Sequence, residues 1–335
     1  MKSNVIGKIL RDSKLSNLFI RGVSDNDDEF LKGISRVQIE VTNNCNLNCR
    51  ICWRALRDEL TPGRNMAFSA FKKAMDNLMG LFDIRELNTQ GLGEPFMCPD
   101  ILDILKYAKS IGLSTWLVTN GTLLDEHMAE TLVEIGVDKL RFSVDSADDR
   151  IYSAIKSGSN IAVAARNISK INLFKDKLGR KNPAVSFNSV VLKSAFEGLE
   201  ELIKMADKLK VGEVTLIPLV LFSRGLAVKD EQVDFYSGEF SDRFKILKDR
   251  ASQVDIELNL GVSLESRGDK FCHSGFYIDV DGFIHPCCNI SSRNFGNAYG
   301  ADARSIAAEY LSFRRWLDSK KISCKECNMI LDGRC

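Results

Sequence analysis

Six times between about residue 36 and residue 220, a short run of β-forming residues is followed by a segment of helical periodicity. Few folds accept that alternation. Parallel strands need a crossover, and each crossover helix must cover a sheet face. Strands are predicted at Val37–Val41, Glu86–Thr89, Leu113–Thr119, Lys139–Val144, Ala184–Leu192 and Glu213–Leu219. Helices are predicted at Met66–Leu81, Pro99–Ile111, Leu123–Ile135, Ile161–Phe174 and Ala195–Leu209. Phe68, Phe71, Met75, Leu78 and Met79 are spaced to line one face of the first helix, and Gly112 stands where a helix C-terminus favours glycine. Periodicity leaves open whether the sheet is flat or curled into a barrel. In either case reactive residues belong on loops at the C-terminal ends of strands. Residues 1–35 read as an N-terminal extension, 36–220 as the α/β domain, and 221–266 as a connector with a charged helix around Val233–Arg250. From 267 to 335 the chain turns Gly- and Cys-rich, as a small separate module.

Cysteine distribution is the second constraint. Nine of the ten cysteines fall in two groups, Cys45, Cys49 and Cys52 near the start and Cys272, Cys287, Cys288, Cys324, Cys327 and Cys335 at the end. Only Cys98 lies between them. Met1–Gly22 mixes charges with short apolar stretches and lacks a signal peptide's apolar core and cleavage site, and no apolar run approaches a bilayer span, so a cytoplasmic protein is expected. In a reducing compartment, clustered cysteines are metal ligands or catalytic thiols. Lys plus Arg at 46 nearly balances Asp plus Glu at 45, which gives no electrostatic reason to expect nucleic acid or a membrane as partner.

The first group reads Val41-Thr-Asn-Asn-Cys45-Asn-Leu-Asn-Cys49-Arg-Ile-Cys52-Trp53, directly after the first strand. Three thiolates are one short of a closed tetrahedral zinc site, and no fourth His or Cys is nearby. A cubane cluster held by three cysteines leaves one iron open to a ligand. This Cys-x3-Cys-x2-Cys segment resembles the signature of the radical S-adenosylmethionine (SAM) superfamily. The resemblance implies a partial (β/α)6 TIM-like barrel. It also implies a [4Fe–4S] cluster on Cys45, Cys49 and Cys52, with SAM chelated to the open iron and cleaved reductively to a 5′-deoxyadenosyl radical. Such enzymes draw electrons from a flavodoxin- or ferredoxin-type donor. Ile51 stands where the family usually has an aromatic residue.

Further motifs resemble the family's cofactor contacts. Gly91-Leu-Gly93-Glu94-Pro95 follows the second strand and resembles the Gly-Gly-Glu-Pro motif that holds the methionyl amine. Thr119-Asn120-Gly121, on residue types alone, is a tight turn. Ser143 and Asp145 close the fourth strand, where the family places ribose contacts. Lys156, in Tyr152-Ser-Ala-Ile155-Lys156-Ser-Gly158, stands where a basic residue pairs with the methionyl carboxylate. The resemblance thus implies Gly93, Glu94, Ser143 and Lys156 as cofactor contacts. Cys98 is a weak candidate hydrogen donor; as a residue type it is more often a small buried hydrophobe.

At the other end, Cys272-x9-Gly282-x4-Cys287 followed by Cys324-x2-Cys327 resembles the SPASM or shorter twitch module of radical SAM enzymes. The resemblance implies one auxiliary [4Fe–4S] cluster on Cys272, Cys287, Cys324 and Cys327, with Cys288 or Cys335 as alternates. By ligand chemistry alone zinc is the other occupant. Asp279–Cys287 is expected to form that module's hairpin.

The leading expectation is an enzyme that abstracts hydrogen from a small polar metabolite, sugar- or aminocyclitol-like, and oxidises it with the auxiliary cluster as electron acceptor. The alternative is a peptide or protein maturase, ranked second because residues 1–35 are short for a peptide-binding domain. A third reading, a non-catalytic iron–sulfur or zinc protein, leaves the open triad without a purpose.

Overall fold

The computed structural model describes residues 31–52, 54, 63–219, 225–261, 274–288 and 293–320. The first half of the chain runs β1 (Arg36–Ile39), α1 (Phe68–Leu78), β2 (Glu86–Thr89), α2 (Ile101–Ser110), β3 (Ser114–Thr119), α3 (Glu126–Ile135) and β4 (Lys139–Ser143). The second half runs α4 (Asp149–Ile155), α5 (Ile161–Leu178), β5 (Ala184–Val191), α6 (Leu199–Lys208), β6 (Glu213–Pro218), α7 (Gly238–Ser252), β7 (Glu257–Leu260), β8 (Gly275–Ile278), β9 (Ile284–His285) and α8 (Ala303–Lys320). The predicted strands and long helices recur with ends shifted by a few residues. Three elements were not predicted: α4, β7 inside the stretch read as a connector, and α8 inside the stretch read as Gly- and Cys-rich. No helix among the described residues is long and apolar enough to cross a membrane.

The chain divides into two compact units. The larger comprises residues 40–66 and 88–268. Its strands run in the order β3-β4-β5-β6-β7, all parallel. Side chains alternate across the sheet, as the pleat requires. Leu117, Leu140, Phe142, Val185, Phe187 and Val214 are fully or almost fully buried on one face. That face is the helix side: a Cβ placed on Gly121 would lie 2.7 Å from the Phe142 ring and 3.6 Å from Ala164 of α5. Trp116, Lys139, Arg141, Ser143, Asn188 and Asn259 point the other way and keep partial access to solvent. Some helix starts are set by side-chain acceptors. Asp125 caps α3 through the Met128 N–H (2.7 Å) and Asn160 caps α5 through the Val163 N–H (3.1 Å). The architecture is the mixed α/β, parallel-strand arrangement of a partial TIM-like barrel.

The smaller unit comprises residues 1–39, 67–87 and 269–335. In it β1 pairs in parallel with β8, Val37 opposite Phe276 and Ile39 opposite Ile278. Strands β8 and β9 form an antiparallel hairpin, Tyr277 opposite His285. Gly282 turns that hairpin at φ +87°, and a Cβ there would sit 2.5 Å from the Tyr299 ring. The Asp279 carboxylate accepts the Asp281 and Phe283 N–H groups and lies 2.9 Å from His285 Nε2, closing the turn from inside.

Candidate active site

Cys45, Cys49 and Cys52 lie on the irregular stretch that leaves β1, and all three are half-buried. The polar residues before them tie the stretch to residues 63–65, where Thr42 and Asn65 form an isolated antiparallel bridge. Asn43 Oδ1 accepts the Arg64 N–H (3.0 Å), Asn44 Oδ1 accepts the Gly63 N–H (2.9 Å), and Thr42 Oγ1 accepts the Asn44 N–H (3.0 Å). Beyond Cys45 the loop docks on the chain after α4. The Asn48 N–H donates to the Ser157 carbonyl (3.3 Å), and the Arg50 N–H to the Ile155 carbonyl (2.9 Å). Ile51 packs against a cluster of Ile155, Leu192, Ala195, Leu219 and Val228. Its aliphatic side chain therefore has an apolar seat of its own, a role no local motif announces. Trp53 lies outside the described residues.

Burial pushes the Cys49 thiol up to about 11; Lys156 opposes the rise, and Cys52 and Cys45 add to it. Cys45 is raised too, by burial first and then by Glu94 and Cys52, against the Leu47 backbone N–H. With both thiols raised, ionising Cys45 and Cys49 requires a strong local cation. Among the described residues no three His, Cys, Asp or Glu side chains converge on a single metal ion. Zn–S bonds of about 2.3 Å would demand such convergence, whereas a cubane spreads its thiolates over separate irons. Three half-buried thiols on one short loop match the donor set of a cubane cluster that leaves one iron open.

The Gly91–Pro95 loop packs on this segment. The Leu92 N–H donates to Glu40 Oε2 (2.5 Å), and the Glu94 N–H to the Asn44 carbonyl (2.7 Å). Both glycines are required by backbone approach: a Cβ on Gly91 would lie 2.5 Å from the Glu40 side chain, and one on Gly93 2.2 Å from the Thr42 carbonyl oxygen. Glu94 is 2% exposed. Its carboxylate accepts from Thr119 Oγ1 (2.6 Å) and from the Asn120 N–H (2.7 Å). Burial lifts its pKa to about 7, against the pull of those donors. Asn120 continues the chain of contacts, its Nδ2 3.0 Å from Asn46 Oδ1 and 4.0 Å from Cys45 Sγ. Thr119-Asn120, readable in the sequence only as a turn, thus ties the glycine loop to the cysteine loop. Glu40 carried no local signal; its partner is 52 residues away.

Lys156 is buried and lies 3.0 Å from the equally buried Asp145. Burial alone would lower the ammonium pKa, but Asp145 and then Cys49 raise it above its ordinary value. The lysine is charged and already paired. Asp145 Oδ1 in turn accepts the Val190 N–H (2.9 Å), fixing the pair to β5. Ser143 is half-buried at the end of β4, opposite Asn188. Cys98 is 2% exposed, with Sγ 3.7 Å from the Met66 carbonyl, and burial pushes its thiol up to about 11. In the smaller unit Cys287 and Cys288 are half-buried just past β9. Cys272, Cys324, Cys327 and Cys335 lie outside the described residues.

A parallel α/β fold with an open three-cysteine loop beyond its first strand, braced by a Gly-Glu-Pro loop, defines a class of radical-generating iron–sulfur enzymes. The family model of the radical SAM superfamily matches residues 39–206, and the chain belongs to that superfamily. It is an enzyme, and the superfamily's members bind a [4Fe–4S] cluster and SAM. Among curated relatives it is 28% identical over 200 residues to a tungsten-containing aldehyde ferredoxin oxidoreductase cofactor-modifying protein of Pyrococcus furiosus. That match covers 58% of this chain and 55% of the relative, so the chain spans about half the relative's length. It is 24% identical to a probable GTP 3′,8-cyclase of Methanococcus maripaludis, over 78% of this chain and 87% of the relative. Among solved structures, Streptococcus suis SuiB bound to the precursor peptide SuiA superposes with a TM-score of 0.68 at 14% identity, covering 85% of this chain and 66% of that one. At that identity the likeness shows the fold.

Proposed function

We propose that this enzyme abstracts hydrogen from a small polar metabolite, sugar- or aminocyclitol-like, and oxidises it. The observation that carries the reading is the face of the larger unit's sheet opposite the one that packs on α5. Across β4, β5, β6 and β7 one register row reads Ser143, Asn188, Thr215, Asn259, and the row below reads Arg141, Ser186, Glu213, Glu257. No apolar side chain occupies either row, so a ligand there meets hydroxyls, amides and charges. The cluster and SAM, when bound, supply a carbon-centred radical. In this proposal Cys45, Cys49 and Cys52 hold the cluster, Gly93 and Glu94 shape the cofactor's amino end, and Ser143 contacts it from β4. Lys156 contributes as a pair with Asp145, offering its remaining N–H groups to a carboxylate while Asp145 keeps it charged and aligned.

Removing one hydrogen atom from a C–H beside a hydroxyl, then one proton and one electron, gives a carbonyl. The electron needs an acceptor. Cys272, Cys287, Cys324 and Cys327, with Cys288 or Cys335 as alternates, are proposed to hold it as an auxiliary [4Fe–4S] cluster, and a flavodoxin- or ferredoxin-type protein is proposed as reductant.

The test is transfer of deuterium into 5′-deoxyadenosine by the anaerobically reconstituted full chain. Carbon-deuterated sugars and aminocyclitols are offered in one set of reactions and deuterated peptides in another. Deuterium from a sugar or cyclitol supports the reading. Transfer from peptides alone overturns it in favour of peptide modification.

A further inference from the structure

Arg141, on the sheet face opposite α5, is a cation with an unpartnered buried Nε. It stands on β4 beside Ser186 of β5, which stands beside Glu213 of β6. Its guanidinium carbon lies 4.7 Å from the Trp116 ring centroid, a cation–π contact that favours this placement. Its one ion-pair contact is long, Nη2 to Glu213 Oε1 at 3.5 Å, and its Nε is buried without a protein hydrogen-bond partner. Glu213 is already matched by Lys139, whose Nζ is 2.5 Å from Oε2. Two cations therefore face one engaged carboxylate. Glu257, the next acid in the row, is exposed and takes the Asn259 amide at 3.0 Å.

Two neighbours on β5 share this state. Ser186 Oγ and Asn188 Oδ1 are buried polar atoms without protein partners. A buried polar atom left unpaired costs about 1–3 kcal/mol, so three on adjacent strands of one face call for a function. Packing does not supply one. The same strands bury Phe142 and Phe187 fully on the helix side.

We propose that Arg141 is a specificity-determining residue that binds an oxyanion of the substrate, a carboxylate or a phosphate, with the Ser186 hydroxyl donating to that oxyanion and Asn188 Oδ1 accepting from a neighbouring substrate hydroxyl. A guanidinium is a planar fork of N–H donors that suits two-pronged oxyanion recognition, and the Trp116 ring beside it favours its placement on this face. The inference rests on the small polar substrate reading and narrows it from a polyol to a polyol acid or phosphoester.

The test uses the reconstituted full chain with SAM, and three probes followed by NMR line broadening: inorganic phosphate, acetate and the neutral polyol myo-inositol. Saturable binding of phosphate or acetate is expected in the wild type, and the tighter of the two identifies the group. Arg141→Met should weaken that binding about 10- to 100-fold, the loss of one charge-assisted contact. Arg141→Lys, which keeps the charge but not the fork, should fall between, with thermal melts showing both variants folded. Undiminished anion binding in folded Arg141→Met overturns the inference. Inositol binding as tightly as the anions also overturns it, while leaving the polar substrate reading intact. Failure of all three probes overturns both.

Discussion

Glu94 and Lys156 show how single residues were legible in kind but not in connection. Both lie in local motifs, so spacing along the chain drew attention to them. What each one touches depends on the fold: Thr119 and Asn120 for the first, Asp145 for the second. Because burial raises Glu94 to about 7, the folded protein holds that proton more tightly than the unfolded chain does. The associated stability is complete below the ordinary carboxylate range, declines as pH rises through it, and is gone above pH 7. Glu94→Gln has no such term. Over that window its stability relative to wild type should rise by about 3 kcal/mol. Urea midpoints of cluster-free protein at several pH values measure this, and a pH-independent difference would contradict it. Lys156→Met strands the buried Asp145 carboxylate and should cost about 3–5 kcal/mol. Adding Asp145→Asn should restore most of that loss in the same measurement; equal single and double variants would show that the pair carries no coupling.

At the level of elements, periodic segments were readable and long-range pairings were not. Strands β3 to β6 and helices α2, α3, α5 and α6 carry enough apolar periodicity to declare themselves. Strand β7 is four residues, Glu257–Leu260, with only Leu258 buried, and it is a strand because β6 presents an edge to it. The pairing of β1 with β8 links residues more than two hundred positions apart, beyond any local signal. The Asp279–Cys287 hairpin was readable because Gly282 marks its turn. The glycine loop belongs to this scale as well, since Gly93 lets two loops touch. Gly93→Ala places a Cβ 2.2 Å from the Thr42 carbonyl oxygen and 2.5 Å from that of Asn44, so the loops must part. We expect a loss of about 1–3 kcal/mol and poorer retention of iron at the triad. Gly112→Ala is the control: its φ of +86° strains any side chain, but the Cβ meets nothing within 4 Å, so it should lose some stability and keep its iron. Equal iron retention in the two variants would show that the contact does not matter.

For the molecule as a whole, the family was legible because its chemistry is written locally, as three cysteines within eight residues and a glycine loop one strand later. The substrate was not, because the face proposed to meet it is assembled from single residues on four strands. Residues such as Arg141, Ser186 and Asn188 are unremarkable in sequence and become a surface only when the register aligns them. If both cysteine groups hold cubane clusters, anaerobic reconstitution should give about eight irons per chain, and Cys49→Ala about four. Four in the wild type would remove the auxiliary cluster from the proposal. The most direct test of the central claim is formation of 5′-deoxyadenosine from SAM by the reduced, reconstituted chain. Wild type should produce it and Cys49→Ala should not. Production by Cys49→Ala at the wild-type rate, or none by a wild type carrying its full iron, would contradict the assignment of Cys45, Cys49 and Cys52 as the radical-generating centre.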